Sequence, residues 1–436
     1  MFWFILLFPL MIYPWGPFTY YTFPKVFYLD MFVLFTWLLI IIKKKYWTTT
    51  LSRESLKIEY ILLVFFCLVG LSTIFSVDKS MSFYGTDTRF EGLVTFFSYC
   101  SVLLFSYRLM DTNQLEKVLP GLIIVSIPVS IYGILQHYSL DFFPRNSTKL
   151  FTTRSWSFFD NANFFGSYLA LVILLASTLY LSSTNKKFIA LYYIAICIAF
   201  VALIFSGTRS GLVGIVCGGL LLSFFVIKQY WKKWIPLLVS LILLIIVIDA
   251  AENGSFKQRL DSAVTDSYKI VSNQTTGNEG SNRFFIWRKS LPLIKEYFWL
   301  GSGPDTFEHV FPRDVEKQKF FKEQIVDKAH NEYLQMAITL GVPALLTYLI
   351  LLVVVLSRAF KATKSVKGYE KLILIGLIST IIGYLAQAFF NISVVPVAPI
   401  YWAVLGITLA KAETHLKVER DQIINKNNTT EINQTA

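Results

Sequence analysis

Residues 188–227 read FIALYYIAICIAFVALIFSGTRSGLVGIVCGGLLLSFFVI. Two apolar runs meet through Ser206-Gly207-Thr208-Arg209-Ser210-Gly211, and Arg209 is the one charge in the whole stretch. A helix rises about 1.5 Å per residue, so about 20 apolar residues cross the roughly 30 Å of a bilayer's hydrocarbon. Lipid offers no partner to a backbone N–H or C=O, so such a run crosses as a helix. The stretch therefore predicts a membrane-embedded helical hairpin.

Windows of the same kind recur on both sides of it. They lie at 2–20, 26–42, 58–76, 92–107, 118–136, 164–182, 188–206, 209–227, 234–250, 331–356, 371–391 and 393–410. The first is interrupted by Pro9, Pro14 and Pro17. Of the 436 residues 55% are hydrophobic and 16% charged, with a mean hydropathy of +0.55, whereas soluble domains average about 25% charged. This excludes a disordered or fibrous chain and argues against a cytosolic enzyme. The expected fold is all-α: a polytopic membrane protein of about 12 transmembrane helices. Cys67, Cys100, Cys197 and Cys217 all fall inside apolar runs and read as small buried hydrophobes rather than disulfides or metal ligands. The chain opens Met1-Phe2-Trp3-Phe4 without a basic segment, so no cleavable signal peptide is expected.

The net charge of +12 finds its explanation in topology rather than nucleic acid. Connections at 43–57, 108–117, 186–187, 228–233, 358–371 and from 411 onward hold 21 of the 40 basic residues. Short connections on the opposite side hold seven: Lys25, Lys79, Arg89, Arg145, Lys149, Arg154 and Arg209. Short loops rich in Lys and Arg stay cytoplasmic, which puts both termini in the cytoplasm and the other face outside. The remaining 12 basic residues lie in 251–330 against 11 acidic ones, a near-neutral loop too long to influence topology. The chain thus divides into spans one to nine (1–250), a large extracytoplasmic loop (251–330), spans ten to twelve (331–410) and a polar cytoplasmic tail (411–436), disordered by composition. Within the loop, Asn273–Ser281 reads as a mobile tip.

Four places on the outward side collect polar and ionisable residues. They are Tyr84-Gly-Thr-Asp-Thr-Arg89-Phe-Glu-Gly92, Arg154 with Phe158–Asn163, the Arg209 hairpin, and the two ends of the long loop. Those ends are Asn282-Arg283-Phe-Phe-Ile-Trp287 and Ala329-His330-Asn331-Glu332-Tyr-Leu. Arg209 has no acid within ten residues on either side, so at the interface it must snorkel or find an anion elsewhere. Lipid phosphate would satisfy it, and so would a bound substrate anion. His330 read alone is a cap or a hydrogen-bonded residue, and Arg283 read alone is a solvated charge. Both flank one loop that begins and ends at the membrane, and that loop can fold back over the Arg209 hairpin.

At these positions the sequence resembles the O-antigen ligase and polymerase superfamily. The Ser-Gly-Thr-Arg-Ser-Gly hairpin, Arg-Phe-Phe-Ile-Trp and His-Asn-Glu-Tyr-Leu-Gln carry the resemblance, together with twelve spans and a large outer loop before the tenth. The resemblance implies a GT-C-type glycosyltransferase that takes glycan from an undecaprenyl-diphosphate carrier on the outer face of the cytoplasmic membrane. By motif, Arg209, Arg283 and His330 match the family's essential arginines and histidine, and Phe158–Asn163 resembles its Asn-containing entry to the sixth span. Ligases and polymerases share these motifs.

The chemistry expected of such residues is direct. Guanidinium forks bind diphosphate oxygens bidentately and stay charged, which suits Arg209 and Arg283. Arg89 and Arg154 are candidates for further diphosphate or sugar contacts, with Asn163, Ser210 and Asn331 as polar neighbours. His330 is the expected base for the acceptor hydroxyl, with Glu332 as fallback, in an inverting, in-line attack. Paired carboxylates are absent before the long loop, so neither metal nor cofactor is expected. The expected partners are a carrier-linked glycan donor, a glycan, lipid, wall-polymer or protein acceptor, and membrane lipids. The rival from another class is a transporter or flippase, which places its polar site near the bilayer midplane and often carries repeats. Here the mid-span positions are apolar and no repeat is evident.

Overall fold

The computed structural model describes residues 1–17, 19–43, 53–143, 154–272, 280, 282–312 and 326–435. The first half folds as α1 (Phe2–Leu7), α2 (Thr22–Ile42), α3 (Arg53–Ile74), α4 (Lys79–Tyr84), α5 (Leu93–Arg108), α6 (Thr112–His137), α7 (Ala162–Ser182) and α8 (Lys186–Ser206). The second half comprises α9 (Arg209–Ala251), α10 (Ser255–Val271), α11 (Arg283–Glu296), α12 (Phe307–Val310), α13 (Glu332–Thr339), α14 (Val342–Ser365), α15 (Gly368–Ala388) and α16 (Ala398–Thr435). Among the described residues there is no strand, only an isolated bridge between Tyr13 and Tyr20. Eight of the helices are long and apolar enough to cross a membrane. The protein is an all-α polytopic membrane protein.

The expected windows at 209–227 and 234–250 appear as one 43-residue helix, α9. Straight, it would measure about 65 Å. Yet Arg209 at its start bonds Ser262 and Asp266, which lie only 11 and 15 residues past its end. Trp234 Nε1 also donates to Ser223 Oγ at 2.8 Å, eleven positions apart, where a straight helix would separate them by about 16 Å. The helix therefore doubles back. Lys233 Nζ, bonded to the carbonyls of Leu181 and Ser183, marks the bend at the far end of α7, and Pro236 sits just beyond it. Proline removes a helical donor, which is what a sharp bend requires. Both expected windows are helical and are joined through helical backbone.

Three other windows differ from their expectation. Residues 2–20 form α1 and a 3-10 turn, Phe8–Leu10, followed by non-helical chain. Nine helical residues rise about 14 Å, too little to span, and the prolines explain the early stop. Phe4 stacks on Phe32 with centroids 4.2 Å apart, so this segment packs into the bundle. The window 331–356 breaks at Leu340-Gly341, where Gly341 has φ +88°. There Val342 N–H donates to the Phe298 carbonyl at 2.8 Å, and Ser302 N–H to Ile338 at 2.9 Å. A piece of the long connection thus satisfies the broken backbone. The window 393–410 turns helical only at Ala398, and helix α16 continues past Lys417 to Thr435. The composition argued for disorder there. Extending an existing helix costs far less than starting one, which accounts for the continuation. Of the expected tip at Asn273–Ser281, all but Gly280 lies outside the described residues.

Helix α7 is the centre, with every residue from Phe164 to Leu181 buried. Small residues let α9 and α15 approach it and each other. A Cβ on Gly214 would sit 2.8 Å from the Gly383 carbonyl oxygen, and one on Gly383 2.7 Å from that of Gly214. One on Gly218 would meet the Ser379 oxygen at 2.7 Å. Close backbone contact of this kind replaces the hydrophobic drive that lipid does not supply. Thr208 fills the space above Gly166, and Gly211 faces the Gly166 carbonyl, which seats the Arg209 hairpin on the end of α7. Gly214→Leu or Gly383→Leu should destabilise the bundle by roughly 1–3 kcal/mol through overpacking. Gly219→Ala, with nothing within 4 Å, should be neutral. Thermal unfolding in detergent distinguishes the three.

Candidate active site

At the end of the bundle that carries residues 252–331, the long connection folds back over the Arg209 hairpin. Helix α10 presents Arg259, Ser262 and Asp266 at i, i+3 and i+7, one face of a helix. Arg209 Nη2 donates to Ser262 Oγ at 2.9 Å and Nη1 to Asp266 at 3.3 Å. Gly207 has φ +61°, which favours glycine, and without a Cβ it leaves room for the Arg259 guanidinium. His137 pairs with Glu252 at 3.2 Å and stacks on Phe205, fixing where the connection leaves the bundle.

Arg154 reaches across the same hairpin. Its Nε donates to the Ser206 carbonyl at 2.7 Å, and its Nη2 to Asn163 Oδ1 at 2.8 Å and Thr208 Oγ1 at 3.3 Å. Burial, then Arg259, Arg283 and Arg209, lower its pKa to about 10. Arg283 opens α11, and burial followed by Arg209 lowers it too. Its buried Nε has no hydrogen-bond partner among the described residues, and neither has Ser210 Oγ. Four guanidinium groups thus share one neighbourhood, and Asp266 is the carboxylate paired with them.

His330 stands beside Arg283 with φ +51°, a strained conformation for a residue other than glycine. Its backbone is pinned through Ala329, whose carbonyl accepts from Trp287 Nε1 at 2.9 Å and whose N–H donates to Gln335 at 2.8 Å. Asn331 caps α13, accepting from Leu334 N–H at 3.0 Å. Burial, then Arg283, with further help from Arg89 and Lys328, lowers the His330 pKa to about 4, and Asp327 opposes that shift. Asp327 is held by Arg89 through Nε at 2.9 Å and Nη2 at 2.7 Å.

Of the expected residues, Arg209, Arg283, Arg154, Asn163 and Ser210 gather around the hairpin, while His330, Asn331 and Arg89 gather at the loop's end, joined to them through Arg283. Glu332 points away: it bonds Ser393 and lies buried. Arg259, Asp266 and Asp327 were not singled out from sequence. The i, i+3, i+7 face of 259–266 was the available signal, hidden in a loop whose charges sum to near zero. A buried polar knot supports the ensemble. Asp305 pairs with Lys328 and accepts from Thr86 N–H at 2.6 Å, while Glu91 accepts from Tyr99 at 2.7 Å and from Val395 N–H at 2.8 Å.

Two cavities adjoin the arginines. One, about 280 Å³, runs between α8, α9 and α10, with Leu203, Leu212, Val216 and Leu260 on its walls beside Arg209 and Arg259. The other, about 700 Å³, is lined by Tyr20, Arg89, Arg154, Trp156, Asn163 and Asp327 among others. Among the described residues no group of three or more His, Cys, Asp or Glu is placed to hold a metal ion.

Residues 194–349 match the model of the O-antigen ligase family, a segment running from α8 through the hairpin and the long connection into α14. The match supports the O-antigen ligase and polymerase superfamily for this segment, which holds the Arg209, Arg283 and His330 motifs. An uncharacterized protein of Haemophilus influenzae is 23% identical over 184 residues, 41% of this chain. The chain spans 44% of that relative's length. The imidazole of His330 should stay neutral down to about pH 4, well below the ordinary value near 6.5. Histidine-selective NMR, assigned with His330→Gln, measures this. Asp327→Asn should lower it further, because the carboxylate now favours the charged ring.

Proposed function

On the premise of the O-antigen ligase match, we propose that this protein is a glycosyltransferase. It moves glycan from an undecaprenyl-diphosphate carrier to an acceptor hydroxyl on the outer face of the cytoplasmic membrane, in cell-envelope polysaccharide synthesis. The observation that carries the reading is the cluster of Arg154, Arg209, Arg259 and Arg283, with one paired carboxylate, beside a histidine held neutral. Such a cluster needs an anion, and a diphosphate supplies one.

The acceptor oxygen attacks the anomeric carbon, the bond from that carbon to the diphosphate oxygen breaks, and the configuration inverts. His330 takes the acceptor proton, and its depressed pKa keeps it ready to do so at neutral pH. Arg209 and Arg283 hold the leaving diphosphate and stabilise its growing charge. The groove of about 280 Å³ between α8, α9 and α10 offers apolar walls for the carrier's chain next to Arg209 and Arg259. Three nearby carboxylates are committed to cations of the protein itself, Asp266 to Arg209, Asp327 to Arg89 and Asp305 to Lys328. This supports arginines in the role that a divalent metal plays elsewhere. Transfer to another carrier-linked glycan, the polymerase alternative, uses the same steps as ligation.

Arg209→Ala and Arg283→Ala should each lower kcat by about 10²–10³, the usual cost of losing a transition-state charge contact. His330→Ala should cost about 10²–10⁴. Purified protein with carrier-linked glycan tests both, and wild-type turnover in His330→Ala removes that residue from the role of base. The wild type should keep its activity in EDTA. Collapse in EDTA with recovery on magnesium or manganese overturns the metal-independent site. Glycan profiling of a deletion strain separates the two reactions: loss of chain length marks a polymerase, and unattached long carrier-linked polymer marks a ligase.

A further inference from the structure

The cavity of about 700 Å³ lies on the other side of Arg154 from the apolar groove. Arg154 is the seam, bonded to Thr208 of the hairpin and to Asn163 on the cavity wall. The remaining walls come from three segments far apart in sequence: Thr19–Phe23 ahead of α2, Asp87–Phe90, and Trp156–Asn163. Asp327, which neighbours His330, closes the cavity on the side of the proposed base. In an in-line displacement the attacking oxygen arrives from the face opposite the leaving group. With the diphosphate at the hairpin, the acceptor belongs on the cavity side.

We propose that this cavity is the acceptor subsite and that it takes an uncharged saccharide of the acceptor. The proposal rests on the glycosyltransferase reading above. Its volume lies within the range of small-molecule sites, about 300–1,000 Å³. Its chemistry selects among saccharides. Arg89 is already bound to Asp327, and Arg154 turns its bonds to Asn163, Thr208 and the Ser206 carbonyl, so its charge belongs with the arginines of the hairpin rather than with this cavity. Asp87 is exposed and has no ion pair among the described residues, and Asp160 adds a second carboxylate to the lining. A carboxylate accepts hydrogen bonds from sugar hydroxyls and repels an acidic sugar. Tyr20 and Phe23, 50% and 56% exposed, line the same space. An aromatic face carries partial negative charge and suits the C–H face of a pyranose ring. From Tyr20 the aromatic wall continues outward through Tyr13, at 6.4 Å between ring centroids, to Trp15, at a further 5.6 Å, and Trp15 is 80% exposed.

In this arrangement Arg89 and Arg154 are positioning residues for the acceptor wall, not clamps on the diphosphate. Tyr20 and Asp87 decide acceptor affinity. Both are exposed, so their replacement leaves the bundle folded.

The test uses the full-length protein in detergent with carrier-linked glycan extracted from the source cell as donor. The acceptor probe is a fluorescent oligosaccharide released from that cell's own envelope polysaccharide. Tyr20→Ala and Asp87→Ala should each raise the acceptor KM by about tenfold, the loss of one stacking or charge-assisted contact. The donor KM should stay within about twofold, and Tyr20→Phe should restore the acceptor KM to near the wild-type value. Oxidising the probe's primary alcohols to carboxylates should raise its KM on the wild type, and less so on Asp87→Asn. A rise in donor KM instead assigns the cavity to the donor's glycan and overturns the proposal, as does an unchanged acceptor KM. A wild-type protein that binds donor but transfers to no acceptor overturns the glycosyltransferase reading, and this subsite with it.

Discussion

Like charges packed at the edge of an apolar bundle are the constraint around which this protein is organised. Arg154, Arg209, Arg259 and Arg283 repel one another, and Asp266 is paired into the group. Two members of the cluster are restrained from elsewhere. The Ser206 carbonyl, Asn163 and Thr208 hold Arg154, while Ser262 and Asp266 hold Arg209. Their restraint is pre-organisation: the positive field exists before any anion arrives, and little has to move when one does. Burial, and after it Arg283 of this cluster, keeps a proton off His330.

The rigidity behind that field begins deep in the bundle. Gly166, Gly211, Gly214, Gly218 and Gly383 bring α7, α9 and α15 into backbone contact, and the hairpin is the end of that packed unit. Irregular backbone gathers at the same end of those helices, where Asn391 donates to the Asn163 carbonyl. Gly341 at the break and residues 394–397 of the turn after α15 are buried in protein. A membrane tolerates unwound chain only under that condition.

The parts of this arrangement differ in how plainly the sequence announces them. The hairpin was legible because forty residues with a single charge admit one reading, and Arg209 had to be explained. The arginines and histidine were legible because their motifs stand in a fixed order. The doubling of α9 was legible as two windows but not as one bent helix, since Lys228, Lys232 and Lys233 mark a membrane exit equally well in a loop or a bend. Residues 2–20 misled because hydropathy averages over the prolines that stop the helix. Arg259 and Asp266 were hidden for another reason. Their significance comes from facing Arg209 across more than fifty residues of chain, and no local pattern encodes a partner that distant. Asp327 is the same case, meeting Arg89 from 238 residues away.

Separation along the chain also sets a timetable. Glu91 accepts from the N–H of Val395, 304 residues later. At about 5–20 residues per second, a ribosome needs roughly 15–60 s to supply that partner. Through that interval the carboxyl has Tyr99, eight residues on, and no backbone donor from the final turn. Thr86 waits 219 residues for Asp305, and Arg89 longer still for Asp327. The arginines of the hairpin are in the membrane well before the histidine's frame is synthesised. A nascent chain therefore carries Arg209 in the membrane before Arg283 and His330 are made, and the polar contacts of Glu91 are complete only once Val395 has been added.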